Sequence, residues 1–185
     1  MSKPLFIWAG GKNKMLKHYK PILTSTVFND IKIDSYVEPF FGGGAMFIYI
    51  MTNYKPKNAY INDINPEIIS VYECIKDNYK EFIDRVIELE EEYLPLSFEE
   101  GTRNEDRREF YNEVRQSYWE DYEKWSKPYE AATLYFLMKT GFNGIFQTNK
   151  GNGRYGTPCG LLNQKDKIFE RDIVKWWHDV LQDVK

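Results

Sequence analysis

The sequence predicts an α/β fold in which short buried strands alternate with helices. Residues 35–53 read as a strand, a glycine turn and a helix, and residues 58–79 read as a second strand followed by a second helix. Asn65 is a good N-cap for that second helix, and Pro66 suits its first turn. Strands that alternate with helices in this way favour a parallel sheet.

In chain order, an opening loop leads into a helix that runs through Leu23. Strand 35–39 and strand 58–62 are short runs that end at turn residues. The helices between and after them are predicted at 44–53 and 66–79.

A helical insertion is predicted over about residues 80–140, from apolar residues at helical spacing. Its helices are expected at 79–94, 105–125 and 128–138, with Gly141 ending the last of them. Glycines among aromatic residues predict a hairpin or extended loop at 143–160. Apolar positions from Ile168 to Val184 predict a final amphipathic helix.

The glycines at residues 42–44 indicate a ligand site, because ligands of α/β folds bind at the carboxyl ends of strands. Glycine lets a ligand lie against the main chain, where helix N-terminal amides are available as donors. Asp63 ends the second strand about 20 residues further on, where an acidic residue can bind the ribose hydroxyls of a nucleoside cofactor. A purely structural corner for the glycines and a capping role for Asp63 are the alternatives.

These glycines match neither of two common nucleotide-binding patterns. Gly10, Gly11 and Lys12 lack the spacing of a phosphate-binding P-loop. The turn at 40–44 lacks the third glycine of a dinucleotide fingerprint, which disfavours a nicotinamide dehydrogenase.

Four blocks, taken together and in order, resemble the Dam family of DNA adenine-N6 methyltransferases, and more specifically its bacteriophage-type members. They span positions 4 to about 163. The blocks are Trp-Ala-Gly-Gly-Lys at 8–12, Glu-Pro-Phe-Phe-Gly-Gly-Gly at 38–44, Asn-Asp at 62–63, and Gly-Phe-Asn-Gly-Ile-Phe-Gln-Thr-Asn at 141–149 with its continuation at 153–158.

The resemblance implies a Rossmann-like, S-adenosylmethionine-dependent methyltransferase core with an incomplete sheet. Residues 1–79 would be the N-terminal part of that core, and 80–165 an inserted helical and β-hairpin subdomain for DNA recognition. Residues 166–185 would be a helix returning to the core. The implied reaction moves a methyl group from S-adenosylmethionine to adenine in double-stranded DNA.

The resemblance also implies roles for individual residues at the cofactor. Trp8 and Lys12 would contact the methionine end of S-adenosylmethionine, with Lys12 pairing with its carboxylate. The other implied cofactor contacts are Phe40, Gly42 and Gly44 along the cleft and Asp63 at the ribose.

The candidate DNA contacts are Asn143, Gln147 and Arg154. Side-chain amides can pair bidentately with adenine in the major groove, although a turn asparagine and an exposed glutamine are the alternatives. In the family that the chain resembles, many relatives have an arginine that reads guanine where Gln147 stands, so the resemblance does not by itself imply the usual GATC specificity.

The chain departs from the family at its chemistry. Members share an Asp-Pro-Pro-Tyr-type motif that accepts hydrogen bonds from the adenine amino group and stacks on the flipped base. No two prolines are adjacent in these 185 residues, so the motif and its catalytic residues are absent. We therefore expect a chain truncated just before the motif and inactive by itself. The alternatives are a non-catalytic DNA- or S-adenosylmethionine-binding module and one half of a split methyltransferase completed by a C-terminal fragment.

Composition is that of an ordinary globular chain, with 42% hydrophobic and 29% charged residues. Apolar stretches too short for a bilayer and the lack of a signal peptide favour a cytoplasmic protein without a membrane partner. Cys74 and Cys159 are expected to be reduced. Neither these cysteines nor His18 and His178 have further metal-ligating residues at the spacing of a metal site.

The net charge of −3 argues weakly against DNA binding, but its distribution matters more. Residues 81–123 are heavily acidic, and the run from Glu88 to Glu92 is expected to be a solvated helix face. The balance reverses between Lys139 and Lys175, in the part of the chain that resembles the recognition block.

Overall fold

A computed structural model describes residues 3–8, 12–24, 32–99, 102 and 104–184. Gly10 and Gly11, which belong to the first block of the resemblance, lie outside the described residues. In chain order the elements are α1 (Asn13–Leu23), β1 (Ser35–Glu38), α2 (Ala45–Asn53), β2 (Asn58–Ile61), α3 (Pro66–Asp77), α4 (Tyr79–Tyr93), α5 (Glu105–Glu120), α6 (Lys127–Thr140) and α7 (Arg171–Leu181), with short 3₁₀ turns at Tyr122–Lys124 and Phe142–Gly144.

The two strands form a parallel pair, as the α/β prediction requires. Tyr36 lies opposite Ala59, and Glu38 opposite Ile61. Asn62 N–H donates to the Glu38 carbonyl (2.9 Å) and Phe41 N–H to the Asn62 carbonyl (2.9 Å), so the ladder continues into the glycine turn. The mixed helix-and-strand architecture with a small parallel sheet agrees with the predicted class.

The last helix is shorter than predicted. It ends at Leu181 rather than near Val184, and Val184 makes a parallel bridge to Ala59. Lys76, from the end of α3, donates to the Val184 carbonyl at 2.8 Å. Pairing with β2 therefore takes Val184 out of the helix, although its apolar side chain continues the helical pattern.

Helix α6 lies at the centre of the core and packs against α3, α4 and α5. Its side chains are buried around the whole circumference, from Pro128 to Thr140, as expected of a helix surrounded by others. It spans Lys127–Thr140, slightly more than the predicted 128–138, and it ends before Gly141 as predicted.

An aromatic cluster packs against the glycine turn. The rings of Phe41 and Tyr72 meet edge to face at 4.7 Å, and the rings of Phe47 and Trp177 stack at 5.5 Å. Trp177 is fully buried and comes from α7, so the end of the chain packs beneath the turn. Aromatic pairs of this kind contribute about 0.5–1.5 kcal/mol each beyond their buried area.

Two further helix boundaries differ from the sequence prediction. The segment predicted as one helix at 66–79 ends at Asp77, and Asn78 separates it from α4. The helix predicted at 105–125 ends at Glu120, and Asp121 separates it from the 3₁₀ turn at Tyr122–Lys124, where Asp121 and Lys124 form an ion pair of 2.6 Å. In both places a short polar residue ends the helix while the apolar pattern continues into the next element.

The prediction of a solvated acidic face is wrong for Glu90. Its carboxylate is buried and accepts a hydrogen bond of 2.6 Å from the Ile168 N–H. Glu90 follows Val86 and Leu89 on the face of α4 that packs into the core, so its position on the helix, rather than its charge, decides its environment.

Residues 141–160 form an irregular hairpin, called the hairpin below. It is closed by antiparallel bridges between Gly141 and Cys159 and between Thr148 and Tyr155. Tyr155 is fully buried, and its hydroxyl donates to the Leu137 carbonyl at 3.1 Å. The predicted hairpin or extended loop is confirmed in this form.

The two cysteines have different environments. Cys74 is buried in α3, and burial raises the pKa of its thiol to about 11, whereas Cys159 is half-buried in the hairpin. Within the described part of the chain, no helix is long and apolar enough to span a membrane. Nor does any group of three His, Cys, Asp or Glu side chains among those residues lie close enough together to hold a metal ion.

We expect iodoacetamide to label Cys159 at least ten times faster than Cys74 in the folded protein at pH 8. The thiolate is the reactive form, and a pKa near 11 leaves roughly 0.1% of Cys74 ionised at that pH. Peptide mass spectrometry over a time course measures both rates, and the same labelling in denaturant is the control. Equal rates in the folded protein would contradict the buried placement of Cys74.

Candidate functional site

A cleft of about 920 Å³ lies at the carboxyl ends of β1 and β2 and is called the cleft below. It brings together five of the six predicted cofactor residues from three separate blocks of the sequence. The residues that line it are Pro4, Leu5, Phe6, Ile7, Trp8, Lys12, Asn13, Lys14, Phe40, Phe41, Gly42, Gly43, Ala45, Asp63, Ile64 and Lys139.

Asp63 connects the glycine turn (residues 40–44) to the start of α3. One carboxylate oxygen accepts from the Gly42 N–H at 2.7 Å, and the other accepts from the Asn65 N–H at 3.0 Å. Asn65 in turn caps α3, accepting from the Glu67 N–H (3.0 Å) and the Ile68 N–H (3.3 Å). Asp63 thus has a structural role at the turn, and its two oxygens still have lone pairs for ligand hydroxyls.

The glycines of the turn are required for two different reasons. Gly42 has φ +55°, and a Cβ there would lie 2.7 Å from Cδ1 of Trp8, so glycine lets the indole lie directly on the turn. Gly44 has φ +72°, and a Cβ there would lie 2.4 Å from Cη2 of Trp177. Gly44 therefore faces the aromatic core behind the turn, at the N-cap position of α2.

Lys12 is held at the end of β1. Its ammonium forms an ion pair of 2.9 Å with Glu38 and donates to the Phe40 carbonyl. Glu38 is only 5% exposed and also accepts a hydrogen bond of 2.8 Å from the Tyr36 hydroxyl. An ammonium has three donors, so Lys12 can bind a further acceptor in the cleft.

Sequence reasoning assigned no role to Glu38. The signal that could have found it is a carboxylate inside a short strand, because a buried charge of this kind requires a cationic partner.

Two exposed apolar side chains line the cleft, and only one of them, Phe40, was predicted from the sequence. Phe40 is 74% exposed and Ile64 is 93% exposed, and they lie beside the turn and Asp63 respectively. Exposed apolar groups around a concave site are typical of ligand-binding clefts.

Lys139, at the end of α6, is a second cation in the cleft that sequence reasoning counted only as part of a basic segment. Burial lowers the pKa of its ammonium. In the part of the chain that the structure describes, no carboxylate lies within ion-pair distance of it, so its charge remains available to an anionic group.

The base of the hairpin packs against the wall of the cleft. The rings of Trp8 and Phe146 are 6.0 Å apart, and a Cβ on Gly144 would lie 3.0 Å from Cβ of Ile7. The predicted recognition block and the predicted cofactor residues are therefore neighbours.

Of the predicted DNA contacts, Asn143 and Gln147 are exposed on the hairpin. Asn143 has φ +52°, a conformation that asparagine tolerates better than most residues. Gln147 contributes its backbone to the hairpin, with its N–H donating to the Thr157 hydroxyl at 3.1 Å, which leaves the side chain outside.

Arg154 is placed differently. Its side chain is only 14% exposed and lies between Glu130, with which it pairs, and Glu67 at 3.7 Å. Its guanidinium also lies 4.4 Å from the centre of the Tyr118 ring. Because the group is occupied within the protein, its contact with DNA stays a prediction.

Comparison with known proteins identifies the family. Residues 8–185 match the model of the D12 class N6 adenine-specific DNA methyltransferases. Type II methyltransferase M.MjaIII of Methanocaldococcus jannaschii is 32% identical over 183 residues, which are 99% of this chain and 60% of that protein. Type II methyltransferase M.CviBI of Paramecium bursaria Chlorella virus NC1A is 28% identical over 98% of this chain and 58% of its own length.

A DNA adenine methylase of Haemophilus influenzae is 25% identical over 95% of this chain and 52% of its own length. The chain thus spans between about half and three fifths of these relatives. The order of the blocks, the cleft that they form and the match over residues 8–185 show that the chain belongs to the D12 class of N6 adenine-specific DNA methyltransferases.

Proposed function

We propose that this chain forms the methyl-donor-binding and DNA-recognition part of a DNA adenine-N6 methyltransferase. The observation that carries the proposal is the cleft, which joins Trp8, Lys12, Phe40, Gly42 and Asp63 at the ends of two parallel strands. The names of the relatives, type II methyltransferase and DNA adenine methylase, support the same activity.

The donors of the cleft fit S-adenosylmethionine, which supplies an activated methyl group when bound. Asp63 would hold the ribose hydroxyls, and Lys12 the carboxylate of the methionine end. Trp8, Phe40 and the bare backbone at Gly42 would contact the body of the molecule. Lys139 adds positive charge in the same cleft, which suits a ligand with a carboxylate.

The division of the chain follows from this proposal. Residues 1–79 and 166–185 would belong to a Rossmann-like core, to which Val184 returns by pairing with β2. Residues 80–165 would be the target-recognition subdomain, with α4, α5, α6 and the hairpin.

Double-stranded DNA is the proposed partner, and the exposed side chains of Asn143 and Gln147 are its proposed contacts. Both lie on the hairpin, next to the wall of the cleft, so bound DNA would lie close to the methyl donor. An amide at 147 cannot form the charged pair to guanine that arginine forms, which supports a target other than GATC.

An alternative is a non-catalytic module that binds S-adenosylmethionine or DNA, or one half of a split methyltransferase. These 185 residues contain no Asp-Pro-Pro-Tyr motif, so this alternative requires the motif to come from another polypeptide. Its proposed partner is a separate C-terminal methyltransferase fragment that supplies this motif.

A polypeptide of residues 1–185 is expected to bind S-adenosylmethionine and to transfer no methyl group to DNA. The cleft holds the donor, whereas no residue of the missing motif is present to make the adenine amino group nucleophilic. Equilibrium dialysis with methyl-tritiated S-adenosylmethionine measures binding, and counting of duplex DNA after incubation measures transfer. NAD is the control ligand.

Failure to bind S-adenosylmethionine, or binding of NAD in its place, would overturn the proposed cofactor. Labelled DNA would show that these residues carry their own catalytic groups. Methyl transfer that begins only when a C-terminal fragment with the motif is added would favour the split-enzyme alternative.

A further inference from the structure

Arg154 joins the hairpin to two helices at once. From its place next to the Thr148–Tyr155 bridge it reaches Glu130 on α6 and Glu67 in the first turn of α3. Tyr118 of α5 completes the group, since its ring lies under the guanidinium and its hydroxyl donates to Glu67 at 2.9 Å.

The group is largely buried, so its charges depend on one another. The side chains of Arg154 and Glu67 are 14% and 18% exposed, and that of Glu130 is 29% exposed. Burial raises the pKa of the Glu67 carboxyl. Removal of one member of such a set is costly because it leaves an uncompensated charge behind.

A series of hydrogen bonds connects Glu67 to the cleft. Its N–H donates to Asn65, Asn65 N–H donates to Asp63, and Asp63 accepts from Gly42 in the glycine turn. Tyr72, from the same helix, donates to the Gly42 carbonyl at 3.3 Å. Asp63, just before α3, therefore holds the glycine turn at the Gly42 N–H, and Tyr72, in the second turn of α3, holds it at the Gly42 carbonyl.

We propose that Arg154 is a positioning residue that couples the hairpin to the glycine turn through Glu67. Its guanidinium fixes the first turn of α3 relative to the hairpin, and that turn fixes Asp63 and Gly42. The ligand side of this inference rests on the proposed function: DNA bound at the hairpin and S-adenosylmethionine bound in the cleft then strengthen each other's binding.

Glu130 provides an internal contrast, because it anchors the same arginine but belongs to α6, away from the glycine turn. A role of Arg154 in hairpin folding alone requires only Glu130. A role in coupling requires Glu67. Glu67→Gln and Glu130→Gln therefore separate the two roles while keeping side-chain size.

The first test is hydrogen exchange, followed by NMR, which needs no ligand. In Arg154→Gln and in Glu67→Gln we expect the amides of Gly42, Asn65, Glu67 and Ile68 to exchange about 5- to 10-fold faster than in the unmodified chain. Glu130→Gln should accelerate hairpin amides and leave these four within twofold. Lys127→Gln is the matched control, since it removes an exposed cation that joins α6 to Glu73 on α3 (2.5 Å) and takes no part in the hydrogen bonds from Glu67 to Gly42.

The second test is the affinity for S-adenosylmethionine, measured by calorimetry. We expect Arg154→Gln and Glu67→Gln each to weaken it about 3- to 10-fold, with the double variant no weaker than either single one. Arg154→Lys should recover part of the loss, because it restores the charge but not the shape of the guanidinium. Glu130→Gln and Lys127→Gln should leave the affinity unchanged.

Acceleration confined to hairpin amides in Arg154→Gln would overturn the coupling, as would unchanged amides at the turn in Glu67→Gln. If Arg154→Gln does not fold, Glu67→Gln decides the matter alone. If the unmodified chain does not bind S-adenosylmethionine, the proposed function fails, while hydrogen exchange still decides whether Arg154 positions the turn.

Discussion

Replacement of Asp63 by asparagine is expected to weaken the binding of S-adenosylmethionine about 100-fold. Asp63 accepts the N–H groups of Gly42 and Asn65 and is the proposed acceptor for the ribose hydroxyls. In asparagine an NH₂ group replaces one of the two oxygens. Because NH₂ cannot accept a hydrogen bond, one of these two N–H groups loses its acceptor. Hydrogen bonds to a charged acceptor contribute about 1.5–3 kcal/mol, and about 2.8 kcal/mol corresponds to a 100-fold change in affinity.

Calorimetry with S-adenosylmethionine measures this effect. Asp77→Asn is the matched control, because it removes the same charge from the exposed far end of α3. Thermal unfolding shows how much of the loss is structural: we expect Asp63→Asn to lower the free energy of unfolding by about 1–3 kcal/mol. An affinity within threefold of the unmodified chain would remove Asp63 from the proposed site.

Replacement of Gly44 by alanine is expected to lower the free energy of unfolding by about 3 kcal/mol. Alanine at φ +72° costs about 1 kcal/mol or more, because left-handed backbone brings Cβ close to the carbonyl oxygen. The added methyl group would also lie 2.4 Å from Trp177 in the aromatic core, and overpacking of this kind costs typically 1–3 kcal/mol.

Gly153 offers a close control, because its φ is +73° and a Cβ there would meet nothing within 4 Å. Gly153→Ala thus has the backbone cost without the clash, and we expect it to lose only about 1 kcal/mol. Urea unfolding of both variants measures the difference. Equal losses would mean that Trp177 can move aside and that the contact beneath the turn is not tightly packed.

Much of the site could be predicted from the sequence because it depends on local rules. A strand followed by glycines predicts an open edge, and an acidic residue after the next strand predicts a carboxylate at the same edge. Neighbouring parallel strands end on the same side, so Gly42 and Asp63 had to lie close together, and they share a hydrogen bond of 2.7 Å. The capping of α3 by Asn65 followed from residue type in the same way.

What a charged side chain contacts could not be predicted in this way. Arg154 stands in a basic, glycine-rich segment that favoured a contact with DNA, yet its nearest anions come from α3 and α6. Glu90 belongs to an acidic run, yet its carboxylate accepts the Ile168 N–H. In both cases the deciding group lies far away in the chain, where composition and periodicity carry no information about it.

The sequence by itself determined the α/β class, the order of the elements, the place of the glycine turn and the meeting of Gly42 with Asp63. It could do so because backbone geometry and apolar spacing act over a few residues. Only the tertiary structure decided which charges remain available in the cleft, that Gly44 faces Trp177, and that Arg154 connects the hairpin to α3. Those outcomes depend on which distant elements pack together, and burial then gives each charge its particular partner.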